Sequence, residues 1–155
     1  NILSLRVMRW SRIWGEPGQP YVKPEDYPEV SVACNSVHDS STTRGWWLNE
    51  NAGKDFMRDF PAEKGITPDG FDEHTAAFVL KTIASAKSAF CIHPLQDLLH
   101  LSPSYYDENP ENERINIPGS VTDFNWTYRI PKPVAQLAKD KALINAIKEI
   151  VAAHR

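Results

Sequence analysis

Short apolar runs bounded by turn-forming residues are typical of buried β-strands. Three such runs are present, at residues 2–10, 30–37 and 89–92. Between the first two, residues 11–29 contain repeated Pro and Gly, which predict a loop rather than a helix. The chain is therefore expected to contribute three strands to a sheet.

Between and after these strands, apolar residues recur at helical spacing. Helices are predicted in four places: residues 42–60, 72–87, 95–99 and a terminal helix that Pro131 opens. Asn51 and Gly53 weaken the middle of the first helix and favour a break there. The terminal helix has an apolar stripe, made by Leu137, Ile144, Ile147 and Val151. Strands that alternate with helices predict an α/β fold with a parallel sheet.

The composition narrows the class of protein. The chain has 155 residues, 41% of them hydrophobic, which is enough for one domain with a core. Its formal net charge of −3 gives no electrostatic footprint for binding a nucleic acid. No apolar run approaches the roughly 20 residues that span a membrane, and no signal peptide is visible. Cys34 and Cys91 lie in strand-like runs, and we interpret them as buried free thiols of a cytoplasmic protein.

The strongest candidate for chemistry is the pair His38 and Asp39, where the second predicted strand ends and the first predicted helix begins. Ligands and catalytic groups of α/β proteins collect at the carboxyl ends of the strands, where such a junction lies. A carboxylate and an imidazole can bind vicinal hydroxyl groups, and the indole of Trp46 suits the apolar face of a sugar ring. The simpler alternative is that Asp39 or Ser40 caps the helix and His38 is an ordinary loop residue.

Other chemistries have less support in the sequence. The five His residues show none of the spacings of common zinc sites, and no paired Cys motif is present. No Gly-rich phosphate loop occurs. A nucleophile pair of Cys34 with His38 is disfavoured, because Cys34 lies within an apolar run. Neither a metal ion nor an organic cofactor is implied.

Three stretches resemble motifs of the 4-α-glucanotransferases, the amylomaltase or disproportionating-enzyme family (glycoside hydrolase family 77). Residues 35–47, with a His-Asp pair followed by hydroxyl residues and Gly-Trp, resemble the third catalytic motif of the family. Residues 93–99 resemble its last barrel strand and the following turn. Residues 114–120 and 125–129, with N-x-P-G and N-W-x-x-R, resemble its carboxyl-terminal signature. The motifs occur in family order over nearly the whole chain.

The resemblance implies an enzyme of starch and maltooligosaccharide metabolism. Such an enzyme cleaves an α-1,4-glucan, holds a glucosyl chain on an Asp, and transfers it to the 4-hydroxyl of an acceptor glucan or sugar. On this resemblance, Asp39 matches the carboxylate that stabilises the transition state, and His38 matches the His that binds the same glucose. Asn116, Gln96 and Asp97 are further candidates for substrate binding. A helix cap or a structural salt bridge is the alternative for Asp97.

The resemblance also implies a fold. The three strands correspond to about strands 6–8 of a TIM (β/α)8 barrel, so residues 1–130 would form strands and loops and residues 131–155 the terminal helix. Because a whole barrel needs roughly 250 residues, we expect the chain to be the carboxyl-terminal third of a larger enzyme. The nucleophile and the acid/base of the family follow earlier strands. The remainder of the enzyme is therefore the expected partner, and this chain alone is expected to be inactive.

Two other functions stay open from the sequence. An α-glucan hydrolase can use the same carboxylates with water as the acceptor, and it would release sugar without forming longer chains. A non-catalytic glucan-binding module is also possible for a chain that lacks the nucleophile. Such a module would bind maltooligosaccharides without turning them over.

Overall fold

The computed structural model describes residues 3–154, and its central element is a parallel β-sheet. Within these residues the sheet has three strands in the order β1-β2-β3: Ser4–Val7, Ser31–Cys34 and Phe90–Cys91. Leu5 pairs with Val32, which pairs in turn with Phe90, so strands that are consecutive along the chain are also neighbours in the sheet. The segments between the strands supply the crossover that each parallel pairing requires.

The prediction of three strands is confirmed, but each strand is shorter than predicted. Residue 2, the predicted start of the first strand, lies outside the described residues. That strand ends at Val7, and Met8–Trp10 forms a 3-10 turn. The second strand ends at Cys34, three residues early, because Ser36 bonds to a buried carboxylate instead of following the sheet.

The described residues also form six α-helices, and side-chain caps fix the start of three of them. The helices are α1 (Thr43–Asn49), α2 (Ala52–Asp59), α3 (Glu73–Ala84), α4 (Leu95–Leu99), α5 (Val134–Leu137) and α6 (Lys141–Ala152). Thr42, Asp72 and Asp140 each accept a hydrogen bond from the backbone N–H three residues later. Each cap satisfies a donor that the first turn of a helix leaves without a partner.

The first predicted helix, over residues 42–60, is divided into α1 and α2 at the expected break. Asn51 lies between them with a φ of 53°, in the left-handed region. Asn is among the few residues that visit this region at low cost. The local sequence therefore determines where the two helices separate.

The terminal helix differs from its prediction in its start and in the face that it buries. Pro131 precedes a single turn, α5, and the longer α6 begins only after the Asp140 cap. Leu143 and Ile150 are the buried positions of α6, whereas Val151 is 60% exposed. The predicted stripe is therefore only partly confirmed: Leu137 and Ile147 pack against the core, but the centre of the buried face lies at Leu143 and Ile150, on the side that meets α3.

The helices cover one face of the sheet and leave the other open. On the covered face Ala33 is fully buried, beside the aromatic rings of α1 and α2. On the opposite face, Leu5 is 60% exposed and Phe90 is 56% exposed. Pairing aligns these two residues with Val32, so they form one apolar row across the three strands. An exposed apolar row of this kind is typical of a surface that another part of a protein covers.

Cys34 and Cys91 lie on neighbouring strands, and both are free thiols. The prediction of free thiols is confirmed, with Cys34 buried and Cys91 half-buried. Burial raises the pKa of Cys34 to about 11 and the pKa of Cys91 to about 12. Both thiols therefore stay protonated at neutral pH, which makes them poor nucleophiles.

Gly53→Ala is expected to destabilise the protein, although Ala favours helices more than Gly. A Cβ at position 53 would lie 2.8 Å from Trp47 Cε2 and 2.9 Å from Pro68 Cα, and the backbone cannot yield as a side chain does. Urea unfolding should show a loss of about 1–3 kcal/mol in the free energy of unfolding. Gly15→Ala is the control, since nothing lies within 4 Å of its Cβ. Equal effects of the two changes would contradict this account.

Candidate active site

His38 and Asp39 lie in a turn that begins three residues beyond the end of β2, at the carboxyl edge of the sheet. Ser40 closes this turn, because its N–H donates to the Val37 carbonyl at 3.0 Å and its hydroxyl accepts from the Val37 N–H at 3.0 Å. His38 Nε2 lies 3.1 Å from Asp39 Oδ2. The two side chains are 57% and 46% exposed, so a defined turn presents both to solvent.

The N-cap of α1 is Thr42, so the alternative in which Asp39 or Ser40 caps this helix is wrong. The Thr42 hydroxyl accepts from the Gly45 N–H at 3.3 Å. Because the helix does not use the Asp39 carboxylate, that carboxylate remains available to a ligand.

Asn116 reaches Asp39 from a segment 77 positions later in the chain. Its Nδ2 donates to Asp39 Oδ1 at 2.7 Å, while the other carboxylate oxygen faces His38. The fold thus brings three of the six predicted site residues into direct contact. Of the other three, Gln96 and Asp97 line an adjoining cavity and Trp46 lies in the core.

Hydrogen bonds close the segment that carries Asn116 into a loop. The Trp126 N–H donates to the Ile115 carbonyl at 2.7 Å. The side-chain oxygen of Asn125 accepts from the Ile117 N–H at 3.1 Å. The N-x-P-G and N-W motifs therefore support one another, and together they hold Asn116 against Asp39.

A cavity of about 210 Å³ opens beside His38. The turn after β2, the start of α4 and the segment before Asn116 form its walls, which include Ser36, Val37, His38, Pro94, Gln96 and Ile115. Gln96 is half-buried on α4 and lines this cavity. Its amide therefore belongs to the same site as the imidazole of His38.

Asp97 also lines this cavity, but it is only 1% exposed and both of its oxygens are occupied. Oδ1 accepts from the Thr43 N–H at 2.7 Å, and Oδ2 accepts from the Ser36 hydroxyl. A buried carboxylate needs such partners, and these two leave it little capacity for a sugar. The structure corrects the prediction that Asp97 binds substrate: it ties the turn after β2 to the start of α1.

Trp46 lies in the core, so the prediction that it binds a sugar ring is also corrected. It is 3% exposed, and its ring contacts those of Tyr21 and Phe56 at centroid distances of 6.3 and 5.6 Å. The reason is the helical geometry of α1: the face of the helix that carries Trp46 packs against α2 and the core. The exposed indole near His38 belongs instead to Trp126.

Glu113 is a buried acid that sequence analysis misses, because it lies in a polar segment that predicts an exposed loop. Its Oε2 lies 2.9 Å from His100 Nε2, and its Oε1 accepts from the Asp107 N–H at 2.9 Å. The side chains of His100 and Glu113 are only 1% and 3% exposed. This pair anchors the segment that leads to Asn116, and no short-range pattern in the sequence reveals it.

Arg9 lies buried beneath the turn that carries His38 and Asp39. Its Nε donates to the Asn35 carbonyl at 2.8 Å, and its Nη1 donates to the Ser41 hydroxyl at 2.9 Å. Burial lowers the pKa of Arg9 from its ordinary value, while the nearby Asp97 carboxylate favours the charged form. This cation therefore fixes the turn from the side of β1.

The exposed polar groups of the site are of types that can bind hydroxyl groups. The Asp39 carboxylate accepts hydrogen bonds, and the Asn116 amide both donates and accepts them. A neutral His38 imidazole has one donor nitrogen and one acceptor nitrogen. Residues 3–154 contain no cluster of three or more His, Cys, Asp or Glu side chains placed to hold a metal ion. None of the helices in the described part of the chain is long and apolar enough to cross a membrane.

The chain has the fold of one part of an amylomaltase. The amylomaltases are a class of TIM-barrel enzymes. An amylomaltase from Streptococcus agalactiae in complex with acarbose superposes with a TM-score of 0.61 at 23% identity, covering 96% of this chain and 26% of that chain. The amylomaltase from Corynebacterium glutamicum gives a TM-score of 0.66 at 14% identity, covering 97% and 25%. At these identities the likeness establishes the fold alone.

Curated relatives show similarity in sequence as well. The 4-alpha-glucanotransferase of Chlamydia pneumoniae is 33% identical over 154 residues, which are 97% of this chain and 28% of the relative. The 4-alpha-glucanotransferase DPE2 of Oryza sativa subsp. japonica is 31% identical over 150 residues, 96% of this chain and 16% of the relative. The chain thus spans less than a third of the length of these relatives.

The model of the family described as 4-alpha-glucanotransferase, glycoside hydrolase family 77, matches residues 1–135. Since this range is most of the chain, the chain belongs to that family. The resemblance drawn from the three motifs is therefore confirmed.

Asp97→Asn is expected to destabilise the protein, although the two side chains have nearly the same shape. The Asn oxygen can still accept from the Thr43 N–H, but its NH2 group donates where the carboxylate accepted, so the buried Ser36 hydroxyl hydrogen loses its acceptor and both bonds lose the strengthening of the negative charge. Such a loss costs about 1–3 kcal/mol in the free energy of unfolding. Urea unfolding measures it, with the exposed Asp69→Asn as the matched control. An Asp97→Asn midpoint equal to that of the control would contradict the assigned role.

Proposed function

We propose that this chain is part of a 4-α-glucanotransferase and that Asp39, His38 and Asn116 hold the glucose unit at which the glucan is cleaved. The observation that supports this most strongly is the 2.7 Å hydrogen bond between Asn116 Nδ2 and Asp39 Oδ1. It joins an amide from one family motif to an exposed carboxylate from another, at the edge where parallel sheets gather their ligands. Family membership supports the class of reaction.

In the proposed reaction Asp39 binds hydroxyl groups and does not attack the sugar. A retaining enzyme uses one carboxylate as nucleophile and another as acid/base, and we assign both to the remainder of the enzyme. The nucleophile displaces the rest of the donor glucan, whose oxygen takes a proton from the acid/base, and it then holds the glucosyl chain covalently. The 4-hydroxyl of an acceptor glucan or sugar attacks this intermediate, gives its proton to the same acid/base and releases the nucleophile. An α-1,4-glucan or maltooligosaccharide is the substrate.

Asp39 accepts hydrogen bonds from the 2- and 3-hydroxyl groups of the bound glucose, and His38 binds the same sugar. These bonds strengthen as positive charge develops on the ring, so they stabilise the transition state more than the ground state. Asn116 fixes the orientation of the carboxylate before substrate arrives. Gln96 supplies an amide to the adjoining cavity.

We further propose that the three strands are about strands 6–8 of a (β/α)8 barrel, with α1–α4 among its outer helices and α5 and α6 forming the terminal helical part. The parallel order β1-β2-β3 supports this assignment, as does the row formed by Leu5, Val32 and Phe90. Side chains that point into a barrel interior are apolar and are covered by the other strands. The remainder of the same enzyme is then the partner that covers this row.

The two free thiols, Cys34 and Cys91, support a reducing compartment, and we propose the cytoplasm. Soluble glucans and maltooligosaccharides are substrates suited to such a compartment. The formal net charge of −3 agrees with a neutral sugar substrate rather than a nucleic acid.

Asp39→Asn in the complete enzyme should lower kcat for the formation of longer oligomers from maltotriose by about 10²–10³-fold, with a much smaller change in KM. The amide keeps the shape of the side chain but removes its negative charge. That charge makes the hydrogen bonds to the sugar stronger in the transition state than in the ground state. Product chromatography over time measures the rate. Asp69→Asn, an exposed change outside the site, is the control and should retain the wild-type rate. A normal rate for Asp39→Asn would disprove the assigned role.

A further inference from the structure

Trp126 presents a large apolar ring to solvent beside the candidate active site. The residue is 64% exposed, whereas Trp46 and Trp47 are 3% and 0% exposed. The centroid of its ring lies 5.3 Å from that of the His38 imidazole, and the two planes meet at 34°. An exposed indole at this place is not needed for the core, so its position calls for another explanation.

The backbone holds this indole in place at an energetic cost. Trp126 has a φ of 65°, which is rare for a bulky residue without a special constraint. The constraint is the bond from its N–H to the Ile115 carbonyl at 2.7 Å, together with the Asn125 side chain that accepts from the Ile117 N–H at 3.1 Å. Residues held in such conformations concentrate at functional sites.

We propose that the Trp126 indole is a stacking platform for the glucose unit next to the one that Asp39 and His38 hold. This inference rests on the proposed function. A glucose ring has an apolar face of C–H groups, and a flat aromatic ring buries that face while the hydroxyl groups at its edge stay solvated. Adjoining glucose units of an α-1,4-glucan are directly linked. When His38 and Asp39 hold one unit, the indole beside His38 is therefore placed to contact the next unit.

The arrangement fits a neutral carbohydrate better than a charged ligand. Pockets that bind organic molecules combine aromatic walls with few well-placed polar groups. Here Trp126 supplies the aromatic surface, and Asp39 with Asn116 supplies the polar groups. An anionic ligand would meet the Asp39 carboxylate, and an apolar ligand would leave its hydrogen-bonding groups without partners.

The test compares four forms of the complete enzyme in maltotriose disproportionation: wild type, Trp126→Phe, Trp126→Leu and Trp14→Ala. Trp126→Leu keeps an apolar side chain without a flat ring, and it should lower kcat/KM about tenfold, mostly through KM. Trp126→Phe keeps a ring and should lose only about threefold. Trp14 has the same exposure, 64%, but lines a different surface, with Leu5 and Arg12, so its variant should stay within about twofold of wild type. Equal values for Trp126→Leu and wild type would overturn the proposal.

A double-mutant cycle with His38→Ala separates direct stacking from an effect through the imidazole. If Trp126 contacts the sugar itself, Trp126→Leu should still lower kcat/KM about tenfold in the His38→Ala background. If Trp126 only orients His38, the double variant should be no slower than His38→Ala alone, and the proposal is overturned. Thermal unfolding of each variant checks that the fold is retained.

The same assay distinguishes this inference from the proposed function. If the wild-type enzyme forms longer oligomers and Trp126→Leu does so with an unchanged kcat/KM, only the platform is refuted. If the complete wild-type enzyme produces from maltotriose no oligomer of greater length, the proposed function fails. The platform rests on that function, so it fails as well.

Discussion

The buried carboxylate of Asp97 is the interaction on which the candidate site depends most. It lies on α4, after the last strand of the sheet, and it binds both the Ser36 hydroxyl beyond β2 and the Thr43 N–H at the start of α1. Asp97 therefore joins α4 to both ends of the segment between β2 and α1, 61 and 54 positions earlier in the chain. With Arg9 holding the same turn from the other side, the backbone around His38 has little freedom to change its shape. Preorganisation of this kind lets a few hydrogen bonds act strongly on a transition state.

A second buried pair serves the other half of the site. His100 and Glu113 fix the start of the segment that carries Asn116, and the bonds of Asn125 and Trp126 close that segment into a loop. The exposed polar groups of the candidate site are thus few, and buried polar contacts support the segments that carry them. This division, with a rigid interior and a small exposed constellation, is what positioning a sugar hydroxyl requires.

Short-range sequence patterns predict much of the fold and part of the site. Apolar runs locate the strands, and a strand followed by a turn places His38 and Asp39 at the sheet edge. The contact of Asn116 with Asp39 spans 77 positions, and only the family motif pointed to it. Trp46 is predicted to bind the ligand because it lies in the same motif as His38 and Asp39, but the periodicity of α1 turns it into the core. Asp97 depends on partners 54 and 61 positions away, which no local pattern shows.

The most direct test of the central claim is to incubate the complete enzyme with maltotriose and separate the products by length. If the Asp39 site belongs to a 4-α-glucanotransferase, glucose should appear together with oligomers longer than maltotriose, since one substrate molecule donates a glucosyl chain to another. Glucose and maltose with nothing longer would show that water is the acceptor, and that result would contradict the account.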